Sequence, residues 1–216
     1  MRFHDRTHAG QLLAQRLASY AGQPDVLVLA LPRGGVPVAY EIARALHAPL
    51  DVWVVRKLGA PQQPELAIGA VAPGGFQLLS SELVLQLGIA QDQLDQIVAR
   101  ERAELDRRLA AYRGNRPPFD VRGKTILLVD DGLATGASMR AAIASLRPLL
   151  PARIVVAVPV SDPGVCHRLA SHADQVVCLY TPPHLDAVGQ WYEDFSQTRD
   201  NEVRNLLARS AESHPA

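Results

Sequence analysis

Cysteine is nearly absent: Cys166 and Cys178 are the only two in 216 residues. Their spacing fits no zinc motif, and two thiols make no disulfide framework. Both are read as buried small hydrophobes of a chain working in a reducing compartment. Net charge is absent too, because 22 Lys+Arg balance 22 Asp+Glu. A general nucleic-acid binder shows a basic excess, so no nucleic-acid partner is expected, although a few local groups can still hold a small anion. No apolar run reaches membrane-spanning length, and the opening "MRFHDRTHAG" lacks the apolar core of a signal peptide. A soluble, cytoplasmic protein without a membrane partner is the expectation. Two phosphate-binding fingerprints are also missing. No G-x-G-x-x-G occurs, and the nearest approach to G-x-x-x-x-G-K-[ST], "GLATGAS", is one residue short and has no lysine. No internal repeat is visible.

What is present is a substantial core, with 48% hydrophobic residues. "DVLVLAL" (25–31), "TILLVDD" (125–131), "RIVVAVPV" (153–160) and "QVVCLY" (175–180) are short, nearly continuous apolar runs. Such runs belong to strands buried on both faces of a parallel sheet. "LDVWVVRKL" (50–58) is read as one further strand. Helices are predicted over 9–20, 36–47, 91–113, 137–147 and 163–171 from their apolar periodicity. In the longest, Leu94, Ile97, Val98, Leu105, Leu109 and Tyr112 share a face, while the charges along 100–108 read as a solvated one. "GAPQQPELAIGAVAPGGF" (59–76) holds four glycines and three prolines and reads as a mobile loop leading into a hairpin. The fold class is α/β: a mostly parallel sheet flanked by helices, with a core over 1–180 and a small hood or tail over 181–216.

Ligands of such sheets bind beyond the carboxyl ends of the strands. "PRGG", "RKLG" and "DDGLATGAS" all lie there. In the last, Asp130 and Asp131 precede a small-residue turn that opens a helix. Backbone N–H groups of Thr135, Gly136, Ala137 and Ser138 suit an anion, and the two carboxylates suit a vicinal diol. A diol at one end and a phosphate at the other describe a ribose 5-phosphate. The bland alternative is a pair of solvated strand-end acids.

"LLVDDGLATGAS" resembles the phosphoribosyl diphosphate (PRPP) signature of the type I phosphoribosyltransferases. "LALPRGGVPVA" (29–39) resembles that family's pyrophosphate-binding first loop, which often contains a non-proline cis peptide. "VVRKLGAP" (54–61) resembles the strand entering its flexible catalytic loop, with adenine phosphoribosyltransferases the nearest likeness. The resemblance spans about residues 25–180. It implies transfer of a phosphoribosyl group from PRPP to a nitrogenous base with release of pyrophosphate, a place in purine salvage, a Mg²⁺ cofactor and a homodimer.

The resemblance also implies roles. Asp130 and Asp131 hold the ribose hydroxyls and, weakly or through water, Mg²⁺. Gly132 and Ala134 to Ser138 cradle the 5-phosphate. Arg33, Gly34, Gly35, Arg56 and Lys57 meet the diphosphate. Two departures stand out. Ala134 occupies the place of the aspartate in 6-oxopurine enzymes. Ala67 occupies the place of the loop glutamate in adenine enzymes, with Glu65 two residues earlier as a candidate acid or base, or simply a solvated residue. "AVGQWYEDF" (187–195) offers Trp191, Tyr192 and Asp194 to an acceptor base, or else packs the tail onto the sheet edge. His4 and His8, four residues apart, are read as part of a frayed N-terminus rather than as metal ligands. The alternative function is a regulator that senses PRPP without turnover.

Overall fold

Every residue of β1 (Val26–Ala30) and β6 (Thr125–Val129) is buried. Alternate side chains along a strand point to opposite faces, so both faces of the sheet must be covered. The computed structural model, which describes residues 2–114 and 116–213, shows how. β2 (Leu50–Val52), β1, β6, β7 (Arg153–Val160) and β8 (Gln175–Tyr180) form a parallel sheet in the order β2-β1-β6-β7-β8. Val26, Val28 and Ala30 feed one core, together with α1 (Arg6–Arg16), α2 (Gly35–Leu46), α4 (Gln91–Arg113) and α7 (Asp200–Ser213). Leu27 and Leu29 feed the other, beneath α5 (Ala137–Leu146) and α6 (Pro163–Leu169). The α/β class with a mostly parallel sheet is therefore present as expected.

The expected strand over 50–58 divides. β2 ends at Val52, and β3 (Arg56–Ala60) starts a separate antiparallel sheet with β4 (Gln63–Val71) and β5 (Gln77–Leu79). Most of the segment expected to be a loop is thus paired strand. The hairpin leads through α3 (Ser81–Gln86) into α4, and it is anchored because Leu58, Ile68 and Val71 reach the first core.

The described residues from Arg2 onward are not frayed. Asp5 caps α1 by accepting from the His8 N–H at 2.7 Å. Phe3 pairs with the tail: its N–H donates to the Trp191 carbonyl at 2.7 Å, and the Glu193 N–H donates to its carbonyl at 2.8 Å. The hood is thus built from both chain ends. Beyond it α7 returns to the main body, where Val203 and Leu207 enter the first core.

Cys166 and Cys178 also differ from expectation. Both are half-buried, Cys166 on α6 and Cys178 on the edge strand β8, and their sulfurs are paired, linking α6 to β8. Among the described residues no helix is long and apolar enough to cross a membrane.

Candidate functional site

The site forms where the loops after β1 and β6 meet. The Leu31 N–H donates to the Val129 carbonyl at 2.8 Å, and the Gly35 N–H to the Leu31 carbonyl at 3.1 Å. The Pro32–Arg33 peptide is cis. Gly34 lies so close to Asp131 that a Cβ there would overlap the carboxylate, and a Cβ on Gly35 would come within 2.8 Å of the Val129 carbonyl oxygen. Glycine lets the loop backbone lie directly on the acid pair.

After the acids, Leu133 pins the turn to the end of β7, its N–H donating to the Val160 carbonyl at 2.9 Å. Ala134, Thr135 and Ser138 are exposed. Gly136 sits at the N-cap of α5 with φ +70°, a left-handed conformation that favours glycine. The Ala137 N–H makes a long bond to Thr135 Oγ1 at 3.4 Å, and Gly136 itself offers no capping side chain to the other first-turn amides, which lie beside small residues and two hydroxyls. That arrangement suits a phosphate.

The acids are held under electrostatic stress. Burial, and then the neighbouring charge of Asp131, push the Asp130 carboxyl well above its ordinary range. Burial also raises Asp131, opposed by the charge of Arg6. Asp130 Oδ1 accepts the Asp131 N–H at 2.9 Å. Arg6 donates from Nε to Asp131 Oδ2 at 2.8 Å and from Nη1 to the Ser196 carbonyl at 2.7 Å. Its guanidinium carbon lies 3.9 Å from the centre of the Phe195 ring. Nothing in the sequence singled out Arg6, which stands 125 positions from its acid.

The other anticipated residues are placed as follows. Arg33 faces Asp200 of α7 at 3.6 Å, and Asp200 also accepts from the Tyr112 hydroxyl at 2.9 Å. Arg56 is engaged by Glu101, at 3.0 Å from Nε and 2.5 Å from Nη2. Glu101 is buried, so that part of the α4 charge pattern is not solvated. Lys57 is exposed. It lines a groove of about 400 Å³ between the hairpin and α5, together with Ala137 and Arg140, so the hairpin brings it opposite the phosphate turn. Glu65 is exposed on β4.

In the hood, Tyr192 is 2% exposed and donates its hydroxyl to the Asp131 carbonyl at 2.6 Å. Its ring packs between Phe3 and Phe195. Trp191 packs on Tyr180, ring centres 4.9 Å apart, and its buried Nε1 has no partner among the described residues. Asp194 is turned to the Ser196 N–H, which holds its carboxyl below the ordinary range. Phe195, 37% exposed, lies under the Arg6 guanidinium that holds Asp131. Val188 closes over Gly132 so tightly that no side chain fits there. Among the described residues no group of three potential metal ligands gathers.

Comparison with known proteins agrees with this geometry. The family model for the phosphoribosyl transferase domain matches residues 6–181. The chain is 46% identical over 208 residues to a Mycobacterium tuberculosis protein named "Putative phosphoribosyl transferase Rv0571c", covering 96% of this chain and 47% of that one. It thus spans about half the length of the curated relatives it matches first. It is 42% identical over 129 residues to the bifunctional protein PyrR of Chloroflexus aurantiacus, covering 58% of this chain and 65% of that one. Among solved structures it resembles TT1426 from Thermus thermophilus, with 46% identity and a TM-score of 0.84 over 97% of this chain and 99% of that one. With a family match over most of its length and an acid pair set against a small-residue helix turn, this chain belongs to the phosphoribosyl transferase domain family.

Proposed function

We propose that the protein transfers the 5-phosphoribosyl group of PRPP to a nitrogenous base with release of pyrophosphate. The observation that carries the reading is the junction of Asp130–Asp131, on which the Gly34–Gly35 loop is laid, with the glycine-led N-terminal turn of α5. Transfer breaks the bond from the anomeric carbon to diphosphate and forms one to a ring nitrogen of the acceptor, which gives up its proton. Positive charge develops on the ribose ring, where the two acids favour it. Negative charge develops on diphosphate, where the Arg33 and Gly34 amides, the Arg33 guanidinium and Lys57 would receive it, the Gly35 N–H being already donated to the Leu31 carbonyl.

A partly buried pair of neighbouring carboxylates also fits Mg²⁺, whose charge would relieve their mutual repulsion. When bound, the ion supplies charge neutralisation to the leaving group. Asp130 and Asp131 would hold it.

The second reading, a PRPP sensor without turnover, draws on Glu65, the candidate acid or base, which lies exposed on β4. Both readings need the phosphate turn. Ser138→Asp should place a negative charge among its amides and reduce ribose 5-phosphate affinity at least tenfold in calorimetry, a loss of about 1.4 kcal/mol. Unchanged affinity would remove the ground for both.

A further inference from the structure

Arg6 belongs to a helix far in sequence from the acids, yet its guanidinium touches three parts of the site at once. Nε holds Asp131 Oδ2, Nη1 holds the Ser196 carbonyl, and the guanidinium group lies over Phe195. The side chain is 11% exposed and that of Asp131 15%, so this is not a loose surface pair. An ionised carboxylate offers about four acceptor directions. Arg6 takes Oδ2, while Oδ1 of Asp131 and Oδ2 of Asp130 accept no protein donor among the described residues. Neither of those oxygens is a buried, partnerless atom. The arginine thus fixes one edge of the acid pair and leaves another edge open.

We propose that Arg6 is a positioning residue of the ribose site, one that orients Asp131 so that its free oxygen meets a sugar hydroxyl, and that ties the hood segment around Ser196 and Phe195 to that orientation. The inference rests on the ribose 5-phosphate reading of the site. Among the described residues Arg6 bonds to neither the phosphate turn nor the first loop. Its loss should therefore weaken recognition of the diol and spare recognition of the phosphate. A guanidinium is rigid and bidentate, whereas an ammonium is a point charge. Arg6→Lys should keep charge balance at Asp131 and lose the bridge to Ser196.

The test compares ribose 5-phosphate with its 2-deoxy and 3-deoxy counterparts by calorimetry. The wild type should prefer the full diol over at least one deoxy sugar by about tenfold, the scale of one hydrogen bond to a charged group. Arg6→Met should bring that preference close to one while its affinity for the deoxy sugars stays within about twofold. Arg6→Lys should fall between. Phe3→Leu loosens the same hood without touching the guanidinium, since Phe3 packs on Tyr192, and it should keep the preference. Hydrogen exchange over 187–196 should slow when ribose 5-phosphate binds the wild type, and not when it binds Arg6→Met. An Arg6→Met protein that still prefers the diol about tenfold overturns the proposal, and so does a Phe3→Leu protein that loses the preference as fully. A wild type that binds none of the sugar phosphates sinks the ribose reading itself, a distinct result.

Discussion

Gly34 and Asp131 lie in direct contact, with no room for a methyl group between the loop after β1 and the carboxylate after β6. Two loops almost a hundred residues apart are therefore one surface. Gly34→Ala should push the acid and the loop apart. Overpacking of this kind costs about 1–3 kcal/mol, and ribose 5-phosphate affinity should fall with it. A thermal melt beside a calorimetric titration checks both, and wild-type affinity in the variant would show that the contact does not matter for binding.

Asp130 gives the opposite sign for stability. Its carboxyl is raised in the folded chain, first by burial and then by Asp131. The folded chain therefore holds this proton to a higher pH than the unfolded chain. The contribution is fully present below the ordinary carboxylate range and is lost as pH rises through the raised value. Above that raised value the ionised carboxyl costs stability. Asp130→Asn should melt at the same temperature as wild type or higher, while losing at least tenfold in transfer rate. A large drop in melting temperature would support a structural role for the acid.

Arg56 and Glu101 form a partly buried pair that joins the start of the hairpin to α4. Arg56→Met would leave Glu101 buried without its main partner, at a cost of about 3 kcal/mol. Denaturant unfolding measures it. A loss under about 0.5 kcal/mol would mean that the guanidinium is free for other work.

The central strands and the long helix were legible because burial on both faces leaves an unbroken apolar run, and because α4 repeats its apolar face over 23 residues. The hairpin was legible only in part, expected beyond a mobile loop where the chain is mostly paired strand. "QPELAIGAV" carries glycine and proline that argue against a strand, yet it pairs because β3 and β5 satisfy its backbone on either side. Glycine also fits the packing there: a Cβ on Gly69 would overlap the Leu78 carbonyl. The acid pair and the phosphate turn are contiguous, so their chemistry could be read from neighbouring letters. Arg6, Asp200 and Glu101 act across the fold, and no local pattern marks a partner that only tertiary contact supplies. The hood was half legible. Its aromatics stood out, but the pairing of Phe3 with the tail joins the two ends of the chain.

Turnover is the central claim, and Lys57 is its sharpest probe, because it is exposed on the hairpin opposite the phosphate turn. The direct measurement is pyrophosphate release from PRPP with Mg²⁺ over a panel of purine and pyrimidine bases. It should be run on wild type and Lys57→Ala beside a ribose 5-phosphate titration. The account predicts release that depends on one class of base, falls at least tenfold in Lys57→Ala, and leaves ribose 5-phosphate affinity within about twofold, since that ligand has no diphosphate. PRPP binding without base-dependent release from any member of the panel would contradict the enzyme and leave the sensor.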